Sequence, residues 1–172
     1  MADQHLEPIA GNPANAIHLV RTVQQAQYQL SQMADQKASL LMGATFVVFT
    51  LTIGQAKGGA LPSLALMVLG GFAFIAAVLA ILAVLPAIGP QGGKPNILFF
   101  GSFSRMSQEE YLDAVIATLN SDETIYRTMA TDIYQNGRVL ARKKYRLLGY
   151  AYRVFLFGLT ASLLTFVWEH FL

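Results

Sequence analysis

Residues 60–88 read ALPSLALMVLGGFAFIAAVLAILAVLPAI. The run carries no charge and is longer than the roughly 20 apolar residues needed to cross a bilayer. A soluble domain of 172 residues has almost no place for such a segment. It therefore reads as a transmembrane helix, assigned to residues 60–86. Pro62 and Ser63 mark its start, since proline suits a first helical turn, and Pro86 ends it.

Two further segments extend that reading outward. Ala38–Ala56 is uncharged throughout, and Leu147–Trp168 contains one charge, Arg153, between tyrosines 150 and 152. An arginine six residues into a span can snorkel to the headgroups while its stem stays apolar. Trp168 suits the opposite interface. The composition agrees. Apolar residues make up 54% and charged residues 13%, against about a quarter charged in a soluble domain. The expected fold class is all-α: an integral membrane protein with three transmembrane helices. Two of them continue into long cytoplasmic stem helices, and a short cytoplasmic helix lies between. The lipid bilayer is the first partner; nothing points to a nucleic acid polymer.

Orientation follows from lysine and arginine placement. With the N-terminus inside, Arg21, Lys37, Lys94, Arg105, Arg127, Arg138, Arg142, Lys143, Lys144, Arg146 and Arg153 are cytoplasmic, and only Lys57 lies outside. The expected C-terminus is then periplasmic. Residues 1–11, MADQHLEPIAG, lack the basic and apolar regions of a signal peptide and read as a polar tail.

Asn12 and Pro13 suit an N-cap and a first helical position, opening a stem over residues 12–37. Its apolar residues, Ala16, Leu19, Val23, Ala26, Leu30 and Met33, recur at heptad steps. That seam packs within the chain or against a neighbouring copy. Residues 86–106, with three prolines and four glycines, read as an irregular connector. Within it, Ile97, Leu98, Phe99 and Phe100 dock on the helices or lie at the membrane surface. Ser107 and Glu110 form a capping box that starts a helix with Tyr111, Leu112, Val115, Ile116 and Leu119 on one face. Asn120-Ser121-Asp122 recaps the chain. A last helix runs from about Glu123 into the third span with the seam Tyr126, Met129, Ile133, Asn136 and Leu140. Gly137 allows a kink or a close approach.

The sequence offers no catalytic constellation. It has no cysteine, which excludes disulfides and thiolate chemistry. His5, His18 and His170 are too scattered to share a metal, and no cofactor motif is present. Glu109, Glu110 and Asp113 favour a helix dipole. The densest charge lies at Arg142-Lys143-Lys144-Tyr145-Arg146, just before the third span. It reads first as a positive-inside anchor that attracts anionic lipid, and second as a phosphate site, and the two roles are compatible. Asp35 and Lys37 enter the first span at the same depth. A carboxylate there needs a partner, so Asp35 should pair with that cluster. In the spans, Ser39-x3-Gly43, Gly70-Gly71, Ala73-x3-Ala77 and Ala76-x3-Ala80 supply small packing residues. Thr45, Thr50, Thr52, Thr160 and Ser162 are the polar groups that could line a pore in an oligomer.

Three motifs in order carry a resemblance: Ala34-Asp35-Gln36-Lys37-Ala38-Ser39; Asn96-Ile97-Leu98-Phe99-Phe100-Gly101 with Ser107-Gln108-Glu109-Glu110-Tyr111; and Arg142-Lys143-Lys144-Tyr145. Over about residues 20–165 the chain resembles the transmembrane effectors of Pycsar, the pyrimidine cyclase system of bacterial antiphage defence. The resemblance implies an inner-membrane effector with no enzyme activity. It would sense cyclic CMP or cyclic UMP made by a partner cyclase, impair the membrane and arrest growth in an abortive infection. It carries over no nucleotide-contacting residues. Chemistry suggests Arg142, Lys143 or Lys144 for the phosphate, Phe99, Phe100 or Tyr145 for stacking, and Asn136 or Gln135 for the base. Residues 87–146 would then be the sensor region, and a helical site favours a homo-oligomer. A ligand-gated channel and a constitutive scaffold are the alternatives.

Overall fold

A computed structural model of the chain describes residues 15–57, 62–86 and 96–171. The proposed start at Asn12 and Pro13, the polar tail and residues 87–95 lie outside them. Among the described residues six α-helices run in order: α1 (Ala16–Lys57), α2 (Leu64–Val84), α3 (Phe100–Phe103), α4 (Gln108–Thr118), α5 (Asp122–Val139) and α6 (Arg146–Phe171). Between α5 and α6, residues Leu140–Tyr145 form a π-helical segment. No strand occurs among the described residues. Three helical runs are long and apolar enough to cross a membrane: Ala16–Lys57, Leu64–Val84 and Asp122–Phe171. The chain divides into two compact units: Met1–Gln27 with Ile88–Asn136, and Tyr28–Ala87 with Gly137–Leu172.

The second unit holds the membrane-competent segments, and its core is built from small residues. Ala34, Ala38 and Leu41 of α1 pack with Ala80 and Ala83 of α2 and with Leu148 and Ala151 of α6. Lipid tails are as apolar as leucine, so burial alone does not drive these helices together; close backbone approach does. The tightest approach is at Gly158, where an added Cβ would collide with the Cβ of Phe72. Large side chains such as Phe46, Phe74 and Phe157 stay exposed on the outside. Not every small pair is used for packing. Ala73, Ala76 and Ala80 are fully buried, but Ser39 is exposed and nothing lies near Gly43.

Helix ends follow the local chemistry. Ser63, not Pro62, stands at the α2 cap: its hydroxyl accepts from the Leu66 N–H at 3.3 Å. Pro62 therefore precedes the helix instead of opening it. The α2 helix stops at Val84, because Leu85 precedes Pro86 and takes an extended conformation (ψ 131°).

The α1 seam differs from expectation. The covered positions are Ile17, Val20, Gln24, Gln27, Ser31, Ala34, Ala38, Leu41, Thr45 and Val48, again at steps of three and four. Leu19, Val23, Ala26, Leu30 and Met33 are exposed. From Ala34 onward this row lets the helix pack closely through alanine, and on the stem Gln27 donates to the Ile133 carbonyl at 3.0 Å.

In the first unit the capping box is complete: the Glu110 N–H reaches the Ser107 hydroxyl at 3.1 Å, and the Ser107 N–H reaches the Glu110 carboxylate at 2.7 Å. Ser121 and Thr124 recap α5 in the same reciprocal way. The α4 face splits. Tyr111 and Val115 are half-buried, whereas Leu112, Ile116 and Leu119 point to the exterior. The seam of α5 is half-buried throughout. The connector is less irregular than expected, since α3 forms inside it.

Candidate functional site

The basic cluster sits in the π-helical segment, and this explains how it reaches so many partners. Successive side chains on an α-helix diverge by about 100°. An i→i+5 ladder uses more residues per turn, so consecutive side chains diverge less. Lys143, Lys144 and Tyr145 are consecutive, and all three reach neighbouring helices. Lys143 donates to the Leu85 carbonyl at 2.7 Å, tying off the C-terminus of α2. The Lys144 ammonium donates to both carboxylate oxygens of Asp35 and to the Ser31 hydroxyl, each at 2.8 Å. The Tyr145 hydroxyl donates to the Leu30 carbonyl at 3.0 Å. Nearly two turns into α6, the Tyr152 hydroxyl donates to the Lys37 carbonyl at 2.9 Å.

These contacts form one polar layer across α1, α2 and the start of α6, at the edge of the small-residue core. Lys144 has all three ammonium protons engaged, so its charge is spent inside the chain. Its side chain keeps 20% of its exposure and Asp35 keeps 46%, so water reaches the pair. Arg142 and Lys37 present exposed side chains.

A second polar knot lies in the first unit. Asp132 is 2% exposed, on the covered face of α5. Its Oδ1 accepts from the Asn96 amide at 2.9 Å and from the Asn136 amide at 2.9 Å. The Asn96 amide also donates to Gln135 Oε1 at 3.0 Å, and its carbonyl oxygen accepts from the Leu98 N–H at 2.9 Å. Asn96 thereby pins the start of the Ile97–Phe100 stretch to α5. Ile97 and Phe99 are half-buried, while Leu98 and Phe100 are exposed. The rings of Phe99 and Phe100 meet at 5.2 Å.

Of the residues chosen for a ligand, Phe99, Phe100, Gln135 and Asn136 belong to the first unit, and Arg142, Lys143, Lys144 and Tyr145 to the second. Sequence reasoning missed Asp132. Its one local signal is the spacing of four residues to Asn136, which puts the carboxylate and the amide on one face of α5. The pore candidates are also internally satisfied. The hydroxyls of Thr45, Thr50, Thr52 and Thr160 donate to carbonyls of their own helices, and that of Ser162 to the Ala65 carbonyl. At the far end of α2, Glu169 accepts from the Leu64 N–H at 3.1 Å.

Three membrane-competent helices bound by a charged layer define a helical membrane protein. The family is given by the match of residues 18–168 to the model of the Pycsar effector protein domain, and the chain belongs to that family. No curated protein and no solved structure matches the chain. Membership makes it a membrane effector of antiphage defence, in a system whose signal derives from a partner cyclase.

Proposed function

We propose that the chain senses a cyclic pyrimidine mononucleotide, cyclic CMP or cyclic UMP, and responds by impairing the bacterial inner membrane and arresting growth. The observation that carries this is helix length. At 1.5 Å per residue, the 42 residues of α1 extend about 63 Å, twice the roughly 30 Å hydrocarbon core. The run Asp122–Phe171, of 50 residues, is longer still. Each is therefore stem and span in one element, and a change in stem packing passes directly to the span. The positive-inside distribution supports a cytoplasmic face for the stems.

The polar layer supplies the point of leverage. A cyclic nucleotide carries one phosphate charge. Arg142, exposed beside the layer, is the first cation available to it. A phosphate that also draws Lys144 from Asp35 removes the charged tie between α1 and the π-helical segment. Tyr145, held by one bond to the Leu30 carbonyl, offers the ring for stacking. Ligand binding then shifts the population toward a loosened set of spans by its preference for that state.

The test combines calorimetry with a leakage assay. Purified full-length protein should bind one of the two cyclic pyrimidine nucleotides, and Arg142→Ala should weaken binding at least tenfold. Cells expressing the chain should take up a membrane-impermeant dye only when that nucleotide is present. Binding of neither nucleotide, or leakage independent of both, rejects the reading. Discrete conductance steps in planar bilayers would identify a defined pore.

A further inference from the structure

Helix α1 carries two heptad rows, and the described residues cover one. The row Ile17, Val20, Gln24, Gln27, Ser31 and Ala34 is covered within the chain. The second row, Leu19, Val23, Ala26, Leu30 and Met33, has the same alternating spacing and is open: Leu19 is 68% exposed, Val23 38%, Leu30 43% and Met33 46%. It precedes Lys37 and the uncharged stretch Ala38–Ala56, so lipid tails do not cover it. Two adjacent heptad rows on one helix are what a helix needs to touch two neighbours at once.

We infer that this second row is the contact with a second copy of the chain, in a parallel, in-register helix pair. Charge selects this occupant. The flanking positions are Thr22, Gln29 and Gln36 on one side and Val20, Gln27 and Ala34 on the other. None is charged, so along the stem before Lys37 two identical helices bring no like charges together, and a charged partner finds nothing to match. Spanning the membrane gives every copy the same direction and depth, so identical residues meet at the same height. The next position of the row after Met33 is Lys37. Paired copies would set lysine against lysine there, which confines the contact to the stem. The inference depends on the membrane-spanning reading and not on the ligand, so failure of nucleotide binding leaves it standing.

The chain has no cysteine, so single cysteines report without background. The experiment uses the full chain in isolated membranes, oxidised with copper phenanthroline. Leu19→Cys, Val23→Cys, Leu30→Cys and Met33→Cys should form disulfide-linked dimers at least fivefold more than Gln25→Cys and Gln32→Cys. Both glutamines are exposed but off the row. Adding Leu30→Glu should cut cross-linking through Val23→Cys at least fivefold, because like charges then face each other. A flat profile, a maximum at the glutamine positions, or indifference to Leu30→Glu would overturn the inference.

Discussion

Two carboxylates, Asp35 and Asp132, do different work because water reaches one and not the other. Asp35 is 46% exposed and faces Lys144. Solvent screens such a pair, so its contribution is about 1 kcal/mol. Asp35→Asn and Lys144→Met should each lower stability in detergent by about that amount, and a double-mutant cycle on thermal unfolding should return most of it as coupling. A coupling near zero would mean the two groups are merely adjacent. Asp132 is buried, and it satisfies two amides at once. Asp132→Leu should cost about 3 kcal/mol, since it strands donors of Asn96 and Asn136 without water. Limited proteolysis should then cut first near Ile97–Phe100, whose start Asn96 no longer holds. The sequence exposed these two residues unequally. Asp35 stands at a membrane entry, so its need for a cation is readable, and the cluster 142–146 is the obvious source. That the partner is Lys144 depends on the π-helical turn, for which heptad counting has no sign. Asp132 and Asn96 lie 36 positions apart, and each alone looks like an ordinary solvated polar residue.

Among elements, α4 offers a pH test. The Ser107 N–H and hydroxyl bonds hold the Glu110 carboxyl below its ordinary value of 4.5. A depressed folded value means the contact stabilises above the unfolded value and is lost as pH falls through the folded one. Helicity of wild type should therefore drop on acidification below about 4.5 more than that of Glu110→Gln, as read by circular dichroism. Equal acid sensitivity would remove Glu110 from the account. The α2–α6 crossing makes a steric prediction. Gly158→Leu places a side chain against Phe72 and should cost about 2 kcal/mol, with Phe72→Ala restoring part of it. Helix existence and caps were legible here, because hydrophobic runs, Ser107 and Ser63 are local signals. The facing of α1 was not. Apolarity pointed to Leu19, Val23 and Leu30, but the covered stem row includes Gln24, Gln27 and Ser31, and from Ala34 onward packing rewards small size, neither of which a hydrophobic pattern registers. Small size alone does not decide facing either: Ser39 and Gly43 face outward while Ala73, Ala76 and Ala80 are buried.

For the molecule as a whole, the proposed function makes the polar layer the threshold of response. If Lys144 must leave Asp35 for the spans to loosen, Asp35→Ala should give dye uptake at lower nucleotide concentration, with some uptake when none is added. Unchanged uptake in Asp35→Ala would remove the pair from the switch. The two polar sites also differ in tempo. Water reaches the Lys144–Asp35 tie, so it can exchange partners on the timescale of side-chain motion. The knot at Asp132 has no such access, and its amides should exchange with deuterium only in rare openings. An effector that acts within an infection cycle needs a trigger that yields quickly and a scaffold that stays folded meanwhile. Placing the wet pair at the membrane entry and the dry knot under the Ile97–Phe100 stretch assigns those two clocks to different residues.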